Sequence, residues 1–241
     1  MPAALSRLPH ALLVALLCAL SLACYGAALE VTPISHELTP QQRALGMTLT
    51  NNGTAAVTVQ VRAFAWSQQA DGQEQLTPAP DVMLSPAIFR IEAGRSQIVR
   101  ALISSPPPPA HEASYRLLID EIPEAQIGDA LRFALRLSVP VFRVPIGASP
   151  AALRWRLEPG EGRLVAENGG GRRERIRELT LVSSLGRRLS PAGAGGMYLL
   201  AGHSRSWSID AQALATRPGE RWTLTASTDA GRIEVPLGAD P

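Results

Sequence analysis

The chain has no lysine: all 23 of its basic residues are arginine, set against 21 acidic ones, for a formal net charge of +2 over 241 residues. That even balance excludes the dense phosphate-facing surface on which nucleic-acid affinity rests, so no nucleic-acid partner is expected. Cysteine is nearly as scarce, with Cys18 and Cys24 both close to the N-terminus. A membrane-spanning run is missing too, because Ala11 to Ala23 falls short of the roughly 20 residues that cross about 30 Å of hydrocarbon as a helix. Placed after Arg7, this run has the form of a secretory signal peptide. The small residues Gly26 and Ala28 put the cut after Ala28, making 1–28 the leader and Leu29 the mature start. A lipoprotein leader acylated at Cys24 is the alternative, although Ser21 stands where such signals carry leucine. A chain cut after Ala28 has no thiol, hence no disulfide and no cysteine-bound metal, and must be held by packing.

Catalytic signatures are also lacking. His36, His111 and His203 are isolated in sequence, no HExxH or GxSxG pattern occurs, and the glycine clusters at 169–171 and 193–196 lack the lysine and hydroxyl residue of a phosphate loop. Those clusters read as hairpin connections. Asp120 and Glu121 are neighbours on a predicted strand and therefore face opposite ways. No enzyme, cofactor, metal or small-molecule substrate is expected.

What remains is β-rich and apolar, with 46% hydrophobic residues, enough for sizeable cores in two domains. Short alternating runs are punctuated by Gly, Pro, Asn and Asp at the spacing of β-sandwiches, so the expected class is all-β. Leu45, Met47 and Leu49 alternate into Asn51-Asn52-Gly53 and out through Val57, Val59 and Val61, which predicts a hairpin. Asn52-Gly53-Thr54 is also a glycosylation sequon, but the turn explains it. Further strands are expected at 96–103, 113–122 and 131–144, with Pro106 to Pro109 forcing an extended connection. After Pro145 the segment 146–150 reads as a linker. Seven short strands follow, at 153–157, 164–167, 176–184, 197–201, 206–209, 222–226 and 233–236, and suit a second sandwich. The predicted boundaries are thus 29–145 and 146–241.

One strand stands out. From Leu131 to Val139 the odd positions are Leu131, Phe133, Leu135, Leu137 and Val139, while Arg132, Ala134, Arg136 and Ser138 occupy the other face. In a closed sandwich that apolar row merely covers its own core. Its place at the end of the first domain, next to the linker, also suits an edge that pairs with another sheet.

Taken together, five segments resemble the periplasmic pilus-assembly chaperones of the chaperone/usher pathway, over nearly the whole mature chain. They are Met47 to Gly53, Phe64 to Gln68, Ser85 to Arg90, Gly94 to Arg100 and Tyr115 to Pro123. The short connection from Pro123 to Asp129 and the Trp66-Ser67-Gln68 segment resemble the archaic, Csu-like branch. The resemblance implies two immunoglobulin-like domains in an L-shaped arrangement and a strand lent to pilus subunits whose own sandwich is incomplete. It casts Leu131, Phe133, Leu135, Leu137 and Val139 as that donor strand, pilus subunits and an outer-membrane usher as partners, and the periplasm as location. Better-known members hold the subunit's terminal carboxylate with an Arg and a Lys, whose positions fall on or next to Ser35 and Pro140 here, leaving Arg132 and Arg136 as candidate anchors. An interdomain ion network is implied through Glu121 and Asp229, with Arg143 one place from the expected arginine. Two other readings remain open: a secreted two-domain adhesin or structural pilus component, and a periplasmic hydrolase.

Overall fold

The computed structural model describes residues 29–106, 110–123, 134–193, 195–214 and 219–238. The predicted leader, 1–28, and the predicted strand residues Leu131, Arg132 and Phe133 lie outside the described residues. Two sheets make the first domain. One orders β1 (Leu29–Thr32), β3 (Ala44–Asn51), β8 (Ser96–Ile103) and β6 (Val82–Ser85). The other orders β2 (His36–Leu38), β10 (Arg136–Arg143), β9 (Ala113–Ile122), β4 (Val57–Gln68) and β5 (Glu74–Pro78), with β7 (Ile88–Ile91) also pairing β4. Alternation fills the space between them: Met47 and Leu49 from β3, Val99 and Ala101 from β8, and Val59, Leu117 and Val139 from the facing sheet are all buried in one core.

The second domain repeats the plan with a separate core around Leu164, Ile176, Leu181, Trp207, Trp222 and Leu224. Its smaller sheet orders β11 (Leu153–Glu158), β12 (Arg163–Asn168) and β16 (Ser204–Ser208). The larger orders β14 (Arg188–Leu189), β13 (Glu174–Ser183), β17 (Trp222–Thr228) and β18 (Gly231–Leu237), with β15 (Met197–Leu199) pairing β13. The all-β class holds, as does the two-sandwich architecture.

The Asn51-Asn52-Gly53 segment is not a hairpin, because β3 and β4 belong to different sheets. The chain crosses between layers there, and Asn51, fully buried, organises the corner: its amide donates to Ala55 O and Ile91 O while its oxygen accepts the Gly53 N–H. Asn168 does the same between β12 and β13, donating to Arg172 O and Leu199 O and accepting from Ala152 and Gly170. The glycines after it therefore serve a layer crossing too. A Cβ on Gly171 would stand 2.7 Å from Ala110 O of the first domain, so only glycine permits this close approach between domains.

The domains are joined by an apolar cluster flanked by charge. Trp66, Phe142 and Leu200 are buried together, and the Phe142 and Tyr198 rings lie 5.3 Å apart. Burying side chains such as Phe142 and Leu200 stabilises by about 1.5–3 kcal/mol each, more than an exposed ion pair contributes. Arg173 stacks over Phe142 at 3.5 Å and pairs with Glu112 at 2.8 Å and Glu37 at 2.8 Å, while Arg172 holds Glu37 at 2.6 Å. Burial pushes the Glu112 carboxyl above the usual carboxylate range despite Arg173. On the other flank the β4–β5 turn grips the second domain. Gln68 donates to Tyr198 O and accepts from Leu200 N–H, and Arg205 donates to Gly72 O at 2.9 Å.

The ion network therefore runs through Glu37, Glu112, Arg172 and Arg173 rather than through Glu121, Arg143 and Asp229. Arg143 is buried but donates to Ser105 O and Pro40 O, both in its own domain, where strand alternation has turned it inward. Asp229 pairs with Arg177 of the second domain at 2.7 Å. Glu121, half-buried on β9, joins no ion pair among the described residues, and its backbone N–H donates to Leu135 O.

Candidate functional site

The strand β10 is covered unevenly. Along one edge it pairs with β9 over its whole length, Arg136 opposite Asp120 through Arg143 opposite Ala113. Along the other edge β2 pairs, in parallel, only with Val141, Phe142 and Arg143. From Arg136 to Pro140, among the described residues, no strand lies on that second edge. The donation of Glu121 N–H to Leu135 O fixes the phase of the ladder. It makes Arg136, Ser138 and Pro140 the members whose backbone groups face away from β9, and Pro140 has no N–H to leave unpaired.

Side-chain burial changes along the same strand. Leu135 and Leu137 are half-buried, and Leu137 packs against the first core. Val139 is 1% exposed within that core, so its place in the predicted donor row is corrected: the alternation continues past the point where the domain closes over it. The unpaired edge thus starts beside the half-buried Leu135 and Leu137 and runs on past the buried Val139.

Arg136 is corrected as a carboxylate anchor. It stands on the outer face, donating through Nε to Asp120 Oδ1, while Arg62 holds Asp120 Oδ2 at 2.7 Å. Burial raises the Asp120 pKa, but these hydrogen bonds and charges outweigh it and hold the carboxyl below the usual aspartate value. Arg132 lies outside the described residues.

Beyond the outer face of β10 a cleft of about 540 Å³ opens between the domains, with Ser138 and Pro140 along its wall. Three guanidinium groups line it, from Arg116 on β9 and from Arg175 and Arg205 of the second domain. Arg116 is directly opposite Pro140 in the ladder, stacks over Trp66 at 3.7 Å and pairs with Glu74 at 2.6 Å. Sequence reasoning missed all three, because their spacing along the chain carries no motif. Their shared feature is visible only in the folded cleft.

Comparison with known proteins bears on this arrangement. No curated protein sequence matches. Among solved structures, the chain is similar to the CsuC–CsuE chaperone–tip adhesion subunit pre-assembly complex from archaic chaperone-usher Csu pili of Acinetobacter baumannii. The TM-score is 0.67 at 23% identity, covering 87% of this chain and 98% of that one. It is also similar to the Escherichia coli chaperone DraB, with a TM-score of 0.62 at 17% identity over 88% and 96% of the two chains. The Salmonella enterica SafA pilin complex with the SafB chaperone matches with a TM-score of 0.61 at 18% identity over 87% and 96%. The model of the family described as pili and flagellar-assembly chaperone, PapD N-terminal domain, matches residues 28–149, which span both sheets of the first domain and the whole of β10. The chain belongs to that family of pilus-assembly chaperones.

Proposed function

We propose that this chaperone caps pilus subunits in the periplasm by lending them the free edge of β10, keeps them from aggregating, and delivers them to an outer-membrane usher. The observation that carries the reading is the unpaired edge from Arg136 to Pro140 beside the half-buried Leu135 and Leu137. A subunit sandwich missing one strand exposes an apolar groove and a row of unpaired backbone groups. An added strand satisfies both. Leu131, Phe133, Leu135 and Leu137 are the side chains assigned to the groove, and each contributes about 1.5–3 kcal/mol when fully buried, so insertion outweighs any exposed polar contact. The similar CsuC and SafB structures, with a tip adhesion subunit and a pilin respectively, support this reading. The signal-peptide pattern read in residues 1–28 supports export.

The test is capture of a secreted subunit co-expressed from the neighbouring genes. Leu135→Glu is expected to stay folded by circular dichroism and to lose the complex on pull-down. Full capture by a folded Leu135→Glu, Leu137→Glu double variant would remove β10 from the function.

A further inference from the structure

We infer that Arg143 and Pro140 lock the register of β10 and so decide which of its side chains a client meets. This rests on the proposed lending of β10. A slip of one residue turns every inward side chain outward, but a slip of two does not. The inward positions here are Leu135, Leu137, Val139 and Val141, preceded in sequence by Leu131 and Phe133. Apolar burial alone therefore accepts the strand two residues forward or back almost equally well. The slots themselves differ, because Leu135 and Leu137 are half-buried beside the open edge while Val139 and Val141 are each 1% exposed in the closed core. A slip of two would offer the client's groove a different pair.

One residue closes each direction of slip. Sliding β10 until Ser138 stands opposite Asp120 carries Arg143 into the slot of Val141, opposite Tyr115 in the first core. A guanidinium there would be stripped of water inside hydrocarbon. In its own slot the same group, 2% exposed, donates to Ser105 O and to Pro40 O at 3.4 Å, carbonyls of the chain after β8 and of the β2–β3 connection. Ser105 is held in turn, since its hydroxyl and that of Tyr115 both donate to Asp81 Oδ2. Sliding the other way, until Ser138 stands opposite Arg116, puts Pro140 in the slot of Phe142, opposite Glu37 of β2. Val144 N–H donates to Leu38 O, which marks the even positions as those bonded to β2, and proline has no N–H to give there. The Arg136–Asp120 pair cannot fix the alignment, because Arg136 is 61% exposed. A buried charge is costly, and setting register is its best-attested use.

The chain from Leu29 onward has no cysteine, so paired cysteines on β9 and β10 report the alignment directly in the free chaperone. Leu118→Cys with Ser138→Cys are opposite one another, whereas Asp120→Cys with Ser138→Cys are diagonal, about 7–8 Å apart and beyond disulfide reach. Under mild oxidation only the first pair is expected to close in the wild-type background. Arg143→Met should raise closure of the diagonal pair at least about tenfold, a shift of about 1.4 kcal/mol between alignments. Arg143→Lys, whose ammonium is equally barred from the core, should keep the native alignment, and so should Phe142→Leu, which thins only the contact between domains. Capture of a co-expressed subunit should fall with Arg143→Met and survive with Arg143→Lys. Native closure alone in a folded Arg143→Met, or diagonal closure in Phe142→Leu, would overturn the lock. So would an Arg143→Met chain that does not fold, since the arginine would then hold the sandwich rather than choose its alignment. Diagonal closure in Arg143→Met with undiminished capture would uphold the lock and count against the lending of β10.

Discussion

Each domain sets a hairpin beside its long central strand, β9–β10 against β4 and β17–β18 against β13, and the two are finished differently. In the second domain Thr228 pairs with Gly231, so two residues make the turn, and Ile233 and Val235 pack on the core. The outer edge of β18 carries Arg232 and Glu234, paired at 3.1 Å, and ends near Pro236. Charge and proline there deter a further strand. In the first domain the apolar row begins before Arg136 and continues inward to Val139, and the edge from Arg136 to Pro140 is left without a strand. Both hairpins leave an edge, but that of β18 is guarded by charge and proline, whereas that of β10 is left open beside an apolar row.

The comparison can be broken most severely at Val139. Val139→Asp puts a charge into the first core and should cost more than about 3 kcal/mol, enough to unfold that domain in a denaturant melt. A cooperative, near-wild-type melt would mean that β10 is not part of the closed sandwich at that position. Next in size is the pair Ile233→Glu and Leu135→Glu. The first loses burial in the second core and should destabilise by about 2 kcal/mol, whereas the second should cost under about 1 kcal/mol, since Leu135 is not part of either core cluster. Equal losses in thermal melts would erase the distinction between the hairpins.

The smallest effect is the open hairpin's share of the pH dependence. Asp120 is held below its ordinary value, so its contribution is present above about pH 4 and is lost as pH falls through the lowered pKa. Arg136 and Arg62 are 61% and 42% exposed, which limits the contribution to under about 1 kcal/mol. Asp120→Asn should flatten the fall of melting temperature between about pH 5 and pH 3. A profile identical to wild type in Asp120→Asn would mean that the hairpin pair contributes nothing.

Alternation made most strands legible, down to the ends of β8 and β9, because period-two burial follows directly from strand geometry. It could not tell that β3 and β4 lie in different sheets, since a turn between two alternating runs reads the same for a hairpin and a layer crossing. Nor could it find where the first core ends: Leu135, Leu137 and Val139 are chemically alike, and only packing separates them. The pairing of Glu112 with Arg173 and the meeting of Arg116, Arg175 and Arg205 depend on how two domains abut, which no local pattern encodes. Arg172-Arg173, directly after three glycines, was the one available hint of a charged contact at a close approach.

The central claim is that the edge of β10 is a vacant pairing site, and amide hydrogen exchange of the chaperone alone and in complex with a co-expressed subunit tests it most directly. Ser138 N–H, facing away from β9, should exchange rapidly in the free protein and become strongly protected in the complex, while Leu137 and Val139, already paired to β9, change little. Unchanged rapid exchange at Ser138 in a stable complex would show that the subunit is held elsewhere.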